Sequence, residues 1–259
     1  MNRSGSRNRR CSRTARIVPF ALAACLFSPV LSGAAEWRVA PIRLDLGASA
    51  RSGVITVFNE KPETLHLQMK AFAWTQDAEG KDRYEETDDL LFFPRIMIFS
   101  KAEERILRAG IKMAVPPREK AYRLFLEEIP GPRKTEGTNV AIAIRLGVPV
   151  FVRPVKEEAL GEVAELALSQ GTLSLAVRNT GNVHFSIAAI EIKGTGPKGE
   201  ETFSKEIGGW YLLAGASRRY EAAIPREACR GTATIAAAAR TDRLTFSGAL
   251  AVNETMCGP

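Results

Sequence analysis

Histidine is scarce in this chain of 259 residues, which contains only two, His66 and His184. Each lies within an alternating apolar pattern, and neither has a cysteine or a second histidine beside it. Zinc sites and Ser–His–Asp triads both need such a grouping, so the sequence argues against a metal centre and against a hydrolytic triad. We therefore expect no enzymatic activity, no cofactor and no small-molecule substrate.

A dinucleotide-binding motif is also missing, although one segment has its glycine spacing. Residues 194–199 read Gly-Thr-Gly-Pro-Lys-Gly, which matches G-x-G-x-x-G. A dinucleotide site requires this motif between a strand and a helix, whereas here another strand pattern follows. The segment is therefore predicted to be a hairpin loop.

The chain has no surplus of charge outside its first 35 residues. It contains 36 lysine and arginine residues against 29 aspartate and glutamate residues. Six of the arginines fall in residues 1–35, where there is no acidic residue, so the rest of the chain has 30 basic against 29 acidic residues. Phosphate binding needs a basic surface, and nucleic acid is therefore not an expected partner.

The first 35 residues have the three parts of a secretory signal peptide. Arginines come first, an apolar stretch from Ile17 to Leu31 follows, and Ser32-Gly33-Ala34-Ala35 supplies the small residues of a cleavage site. We expect cleavage after Ala35 and export to the periplasm. Leu22-Ala23-Ala24-Cys25 also resembles a lipoprotein cleavage box, so lipidation of Cys25 is the alternative.

Cysteine is sparse as well, and the exported chain would keep only Cys229 and Cys257. In an oxidising compartment two cysteines most simply pair, which predicts a disulfide near the C-terminus. The loop that it closes would stabilise the fold by about 3–4 kcal/mol. Two separate buried thiols are the alternative.

The apolar pattern alternates with a period of two over most of the chain, which favours strands. Examples are Gly53–Phe58, Leu65–Trp74 and Asn139–Val152, each ending near turn residues or proline. Proline and a short charge run over residues 153–158 interrupt the strands and predict a linker. The chain is therefore predicted to be all-β, with a leader (1–35), an N-terminal sandwich domain (36–153), a linker (154–158) and a C-terminal sandwich domain (159–259).

Several segments, taken in order, resemble the periplasmic pilus-assembly chaperones of the chaperone–usher pathway. They are Val39–Leu44, Val54–Asn59, Leu67–Gln68 with Trp74, Pro117–Glu119 with Tyr122–Pro130, Val150–Pro154 and Asn179–His184. The resemblance covers most of residues 37–190 and is weak in the C-terminal third. It implies two immunoglobulin-like β-sandwich domains set at an angle, in a boomerang shape, with subunit binding mainly on the N-terminal domain.

The resemblance also implies a function. A pilus subunit lacks one strand of its own sandwich, and the chaperone covers the exposed groove by donating a strand. Such a chaperone prevents the aggregation of subunits and delivers them to an outer-membrane usher. The donated strand should run from Asn139 to Gly147, with one face formed by Val140, Ile142, Ile144 and Leu146. The alternatives are that this face merely fills its own domain's core, or that the chain is a self-assembling structural or adhesive sandwich.

Basic residues of this family bind the terminal carboxylate of the subunit. Arg43 matches the first of them, and its guanidinium suits a bidentate contact with a carboxylate. A solvated strand charge is the alternative role for Arg43. The second anchor of the family is a lysine, whose place is taken here by Pro149. Arg108 and Arg145 are the candidate replacements.

Two further residues match an ionic network that links the domains of the family. They are Glu119 and Arg153, and Asp242 is the candidate third member. Such a network would fix the angle between the domains more than it would add net stability. The short segment from Gly131 to Thr138 resembles the branch of the family that assembles rod-like pili or simple fibres.

Overall fold

The computed structural model describes residue 1, residues 37–130 and residues 142–258. The predicted cleavage site, Cys25 and Val140 lie outside these residues. Strands dominate the described part of the chain and form two successive β-sandwiches, so the all-β prediction is confirmed. Within the same residues, no helix is long and apolar enough to cross a membrane.

The first sandwich is made of ten strands in two sheets. The strands are β1 (Trp37–Ala40), β2 (Leu44–Leu46), β3 (Ser52–Asn59), β4 (Leu65–Gln76), β5 (Asp82–Glu86), β6 (Leu90–Phe93), β7 (Ile96–Phe99), β8 (Glu104–Ile111), β9 (Lys120–Glu128) and β10 (Arg145–Val152). Sheet 1 has the order β1-β3-β8-β6. Sheet 2 has the order β2-β10-β9-β4-β5, and β7 also pairs with β4.

Alternating side chains of the two sheets fill the space between them. Ile55 and Val57 of β3 and Leu124 and Leu126 of β9 have no solvent exposure. Each such side chain contributes roughly 1.5–3 kcal/mol through its burial. Because successive side chains of a strand point to opposite faces, the residues between these positions lie on the outward faces of the sheets.

The second sandwich follows the predicted linker. Its elements are β11 (Gly161–Ser169), β12 (Thr172–Asn179), β13 (Phe185–Thr195), β14 (Glu201–Gly208), β15 (Tyr211–Leu212), β16 (Ser217–Ala223), α1 (Arg226–Arg230), β17 (Thr234–Thr241), β18 (Thr245–Ala251) and a 3-10 helix (Glu254–Cys257). One sheet has the order β11-β12-β16. The other has the order β14-β13-β17-β18, with β15 also paired to β13. The segment with the G-x-G-x-x-G spacing connects β13 to β14, as the hairpin prediction required.

A disulfide joins the two short helices of the second sandwich. It links Cys229 of α1 to Cys257 of the 3-10 helix, with the Cα atoms 5.7 Å apart. Both cysteines are buried among the apolar residues of this core. The disulfide therefore ties the end of the chain to the interior of the second sandwich.

The second sandwich packs against the outward face of sheet 2. Trp74 of β4 and Phe151 of β10 are buried in a small apolar cluster with Leu213. Two hydrogen bonds between a side chain and the main chain support this cluster. The side-chain amide of Gln76 donates to the Tyr211 carbonyl (2.9 Å) and accepts from the Leu213 N–H (3.0 Å). One end of this outward face is therefore a contact between the domains.

Candidate functional site

Strand β10 is paired along its whole length on one side but only in part on the other. Its eight residues pair with β9, from Arg145 opposite Glu127 to Val152 opposite Lys120. On the other side β2 pairs only with Val150–Val152. We call Val150–Val152 the covered half and Arg145–Pro149 the open half, because among the described residues no strand pairs with the latter on the β2 side.

Hydrogen bonds at the two ends of β10 show which main-chain groups face the open side. The Ile144 carbonyl accepts from the Glu128 N–H (2.9 Å), towards β9, and the Arg153 N–H donates to the Leu46 carbonyl (2.9 Å), towards β2. Main-chain groups of successive strand residues point to alternate sides. Arg145 and Gly147 therefore direct their N–H and C=O groups to the open side. Pro149 directs only a carbonyl there, because proline has no N–H.

β10 begins at Arg145, so residues 142–144 of the predicted donor strand precede it, and residues 139–141 lie outside the described residues. Ile142 is 80 % exposed. Ile144 and Leu146 are half-buried and pack against the core of the first sandwich, so they divide their surface between that core and solvent. The structure thus places three of the four predicted donor residues beside the open edge, and the fourth, Val140, is outside the described residues.

Arg43 lies where the open edge ends. The chain leaves β1 in sheet 1 and enters β2 in sheet 2 within three residues, and Arg43 immediately precedes Leu44, the first residue of β2. Its Nε donates to Asp45 Oδ2 at 3.1 Å, and its side chain is 38 % exposed. Next to it, Ile42 is 77 % exposed. A cation and an apolar side chain thus stand together at the junction of the open and covered halves.

Arg123 lies directly opposite Pro149 in the β9–β10 register, and sequence reasoning did not single it out. Its guanidinium packs 3.9 Å from the Trp74 ring, and Nη1 donates to the Gly147 carbonyl at 3.2 Å. The residue is only 7 % exposed, and its Nε is buried with no hydrogen-bond partner. The signal in the sequence was an arginine inside the apolar alternation of residues 122–126.

The two candidate replacements for the second anchor occupy different sheets. Arg108 belongs to β8 of sheet 1, opposite Val54 and Phe93, so it lies away from the edge of β10. Arg145 begins the open half; its guanidinium lies 3.7 Å from the Phe125 ring, and its Nε bonds to Glu127 at 2.7 Å. The prediction for Arg108 does not match its position, because its strand pairs in the opposite sheet.

Glu119 contacts the second domain, but through a residue that was predicted to be an ordinary strand histidine. Its Oε1 accepts from the His184 main-chain N–H (2.9 Å) and lies 2.7 Å from His184 Nδ1. Both side chains are buried, and the imidazole stacks on Phe151 with the ring centres 3.6 Å apart. The link between the domains at this point is thus Glu119–His184.

Arg153 and Asp242 make other contacts, so the predicted three-residue network is not formed directly. Arg153 bonds to Asp45 (2.9 Å) and Glu157 (3.4 Å), and Glu157 also bonds to Arg243 of the second sandwich (2.9 Å). Asp242 instead accepts a hydrogen bond from the Ser186 N–H at 2.7 Å, a contact within the second sandwich. A chain of ion pairs still connects the domains, but Glu157 takes the place that was predicted for Asp242.

The charges around Arg153 affect its titration. Burial acts to lower the pKa of the guanidinium, but the hydrogen bond and charge of Asp45, and the charges of Glu157 and Glu119, outweigh it and raise the pKa. The cation is therefore held in its charged form beside Arg43 and Asp45. At the end of the open edge, Arg43 and Arg153 thus share Asp45, and Arg153 also pairs with Glu157.

A family model matches the part of the chain that forms this open edge. Residues 37–157, which include β1–β10, match the N-terminal domain of the pili and flagellar-assembly chaperones. The N-terminal part of the chain is similar to that domain over 121 of the 259 residues. No curated protein matches the sequence significantly.

Solved structures of pilus chaperones have the same fold. The chain resembles the CsuC–CsuE chaperone–tip adhesion subunit pre-assembly complex of Acinetobacter baumannii (18 % identity, TM-score 0.58, covering 81 % of this chain and 97 % of that one). It also resembles the CupB2 chaperone of Pseudomonas aeruginosa (16 %, 0.52, 83 % and 100 %) and the SafA pilin–SafB chaperone complex of Salmonella enterica (15 %, 0.53, 83 % and 96 %). At these identities the likeness establishes the two-sandwich fold.

Proposed function

We propose that this protein is a periplasmic chaperone that captures pilus or fimbrial subunits by donating the open half of β10 to them. A captured subunit is protected from aggregation and is then delivered to an outer-membrane usher. Residues 1–35 direct export and are then removed, and the two domains extend over residues 36–153 and 159–259 with a linker between them. The match of residues 37–157 to the chaperone family favours this function over a self-assembling structural sandwich.

The open half of β10 is the observation that carries the proposal. Unpaired main-chain groups at a sheet edge accept an additional strand, and hydrogen bonds then supply affinity while alternate side chains supply specificity. Here the N–H groups of Arg145 and Gly147 are free to pair, and Ile142, Ile144 and Leu146 lie alongside with surface still exposed. Each of these side chains, when fully covered, would contribute up to about 1.5–3 kcal/mol.

The position of β2 restricts how a guest strand can lie. β2 runs parallel to β10 and occupies the edge from Val150 onwards, so a guest must end before Leu44. A guest that is also parallel to β10 would then bring its C-terminal carboxylate to Arg43. Arg43 is half-exposed and can bind a carboxylate through two nitrogen atoms.

Arg123 supports a second contact for the same carboxylate. It stands opposite the proline that replaces the lysine of the family, and it already donates to the edge carbonyl of Gly147. Its buried Nε has no acceptor, and buried polar groups are rarely left unpaired. We therefore place Arg123, together with Arg43, in the carboxylate site and give Arg145 a role on the adjoining face.

Aspartate substitution along the open half tests the proposal. Ile142→Asp and Ile144→Asp put a charge where an apolar groove must be filled, so neither variant should co-purify with a co-expressed pilin-type subunit that lacks its terminal strand. Co-purification is measured by affinity capture of the tagged chaperone followed by quantitation of the subunit.

Ile98→Asp is the matched control for these variants. Ile98 is 50 % exposed on β7, at the opposite side of sheet 2, so this variant should capture the subunit normally. Circular dichroism should show that all three variants are folded. Normal capture by both Ile142→Asp and Ile144→Asp would rule out donation by β10.

A further inference from the structure

An aromatic face adjoins the open half of β10 on the outward side of sheet 2. We use this name for Phe72 of β4, Tyr84 of β5 and Phe125 of β9, with Arg145 over them. Phe125 meets Phe72 and Tyr84 edge to face, with ring centres 5.5 and 5.4 Å apart. The guanidinium of Arg145 lies 3.7 Å from the Phe125 ring. Phe72 and Phe125 are half-buried and Tyr84 is 40 % exposed, so the cluster retains apolar surface towards solvent.

The aromatic face continues the contact between the two domains. On the same outward side, Trp74 and Phe151 are covered by Tyr211 and Leu213 of the second sandwich. Tyr84 pairs with Trp74 in the β4–β5 register and is therefore its immediate neighbour. One end of a single apolar surface is thus buried in an interface that exists within the chain, while the other end is not covered by the described residues.

The aromatic face is also continuous with the open edge. Phe125 pairs with Gly147, and its ring packs so closely that a Cβ atom at Gly147 would lie 2.8 Å from Phe125 Cε1. Any body whose strand pairs with the open half must therefore lie beside this face. Aromatic residues of this kind are enriched in the centres of protein interfaces, where they bury a large area at a small cost in conformational entropy.

Charges of both signs surround the aromatic face. The outward residues next to the rings include three cations, Lys70, Arg123 and Arg145, and three acids, Asp82, Glu86 and Glu127. Glu127 is shared between Arg145 (2.7 Å) and Lys70 (3.4 Å), and Arg123 forms no ion pair with any described residue. The charges of the face are therefore balanced, and its apolar rings indicate an occupant that contacts it through an apolar side chain.

We propose that the aromatic face is a second binding surface for the captured subunit, which contacts it through an apolar side chain against Phe72 and Tyr84. This inference rests on the proposed function, since the occupant is the subunit whose strand pairs with β10. The edge binds any suitable strand through the main chain. The aromatic face binds the body of the subunit and selects among subunits by their side chains.

The test compares a whole subunit with a peptide. The first probe is a pilin-type subunit whose sandwich lacks one strand. The second is a synthetic peptide with the sequence of that subunit's own C-terminal strand and a free C-terminal carboxylate. The double variant Phe72→Ala/Tyr84→Ala should bind the whole subunit about tenfold more weakly, because truncated aromatic contacts are lost. The peptide, which reaches only the edge, should bind with unchanged affinity.

The matched control is the double variant Leu91→Ala/Phe93→Ala. These residues are 46 % and 76 % exposed on β6 of sheet 1, so neither probe should be affected. Tyr84→Ala alone, at an exposed position, serves if the double variant is unstable, and it should weaken only the whole subunit. Unchanged subunit affinity in folded Phe72→Ala/Tyr84→Ala or Tyr84→Ala would overturn the inference and leave donation intact. If the unaltered chain binds neither probe, the proposed function itself is wrong.

Discussion

The two halves of β10 have the same strand geometry and the same alternation of side chains. They differ in whether a second strand, β2, pairs with them. The covered half is paired on both sides, and Val150, Phe151 and Val152 have no exposure. The open half is paired on one side only, and its exposure increases from Gly147 towards Arg145 and the preceding Ile142. Val148 and Pro149 of the open half are buried as well, so β2 decides which main-chain groups are paired, and exposure begins only at Gly147.

This comparison assigns different roles to similar side chains. An aliphatic residue of the covered half stabilises the chaperone itself, whereas Ile142, Ile144 and Leu146 have surface left for a partner. Substitutions in the two halves should therefore separate into effects on folding and effects on binding. The following predictions rank these effects from the largest to the smallest.

Val150→Asp should produce the largest loss of stability. Val150 is fully buried between β2 and β9, so the variant places an unpaired carboxylate in the core. We expect the free energy of unfolding to fall by about 3–5 kcal/mol, measured by urea denaturation. Ile142→Asp, at an exposed position, should change it by less than about 0.5 kcal/mol. Equal losses in the two variants would abolish the distinction between the halves.

Removal of the disulfide should destabilise the second domain and leave subunit capture by the first domain unchanged. The double variant Cys229→Ser/Cys257→Ser opens a link with a sequence separation of 28 residues. The loss of stability should be about 3–4 kcal/mol and should appear in the second sandwich. Subunit capture at a temperature where this variant is folded should be normal. Loss of capture under these conditions would mean that the open edge depends on the far end of the molecule.

Arg43→Ala should weaken subunit capture by about tenfold without unfolding the protein, because it removes a charge-assisted hydrogen bond at the end of the edge. Arg43→Lys should recover part of the affinity, since lysine keeps the charge but not the bidentate geometry. Arg38→Ala, on β1 beside Glu60, is the matched control. Binding measured by calorimetry that is equal for Arg43→Ala and Arg38→Ala would place the carboxylate contact elsewhere.

Amide hydrogen exchange should reveal the two halves without any substitution. The Arg153 N–H is bonded to Leu46 and should exchange slowly, whereas the Gly147 N–H faces the open side and should exchange rapidly. Capture of a subunit should slow exchange at Gly147 and leave Arg153 as it was. Slow exchange at Gly147 in the free protein would show that something already covers the edge.

The sequence predicted most of the fold because alternation and turn residues are local signals. It extended the strand of β10 over residues 142–144, because alternation continues there, whereas the ladder with β9 begins at Arg145. Pairing depends on the partner strand, which no local pattern records. The same limit applies to β2, whose three residues carry almost no strand signal and yet decide which half of β10 is covered.

The ionic contacts between the domains were harder to predict than the strands. Glu119 contacts the second domain through His184, which was not among the predicted members of the ionic network. Arg123 was overlooked because an arginine in a strand is usually solvated, whereas this one is enclosed by Trp74 and the β10 main chain. Both misses concern side chains whose environment is supplied by residues distant in sequence.

Pro149 also disfavours pairing between copies of the protein at this edge. A long free edge with every N–H available would serve as a template for mutual pairing between copies and for the growth of amyloid-like ladders. At this edge the proline interrupts the row of donors after Gly147, and the charge of Arg145 stands at its other end. The protein can therefore keep an unpaired strand in solution, since the row is too short for another sheet edge and long enough for a single guest chain.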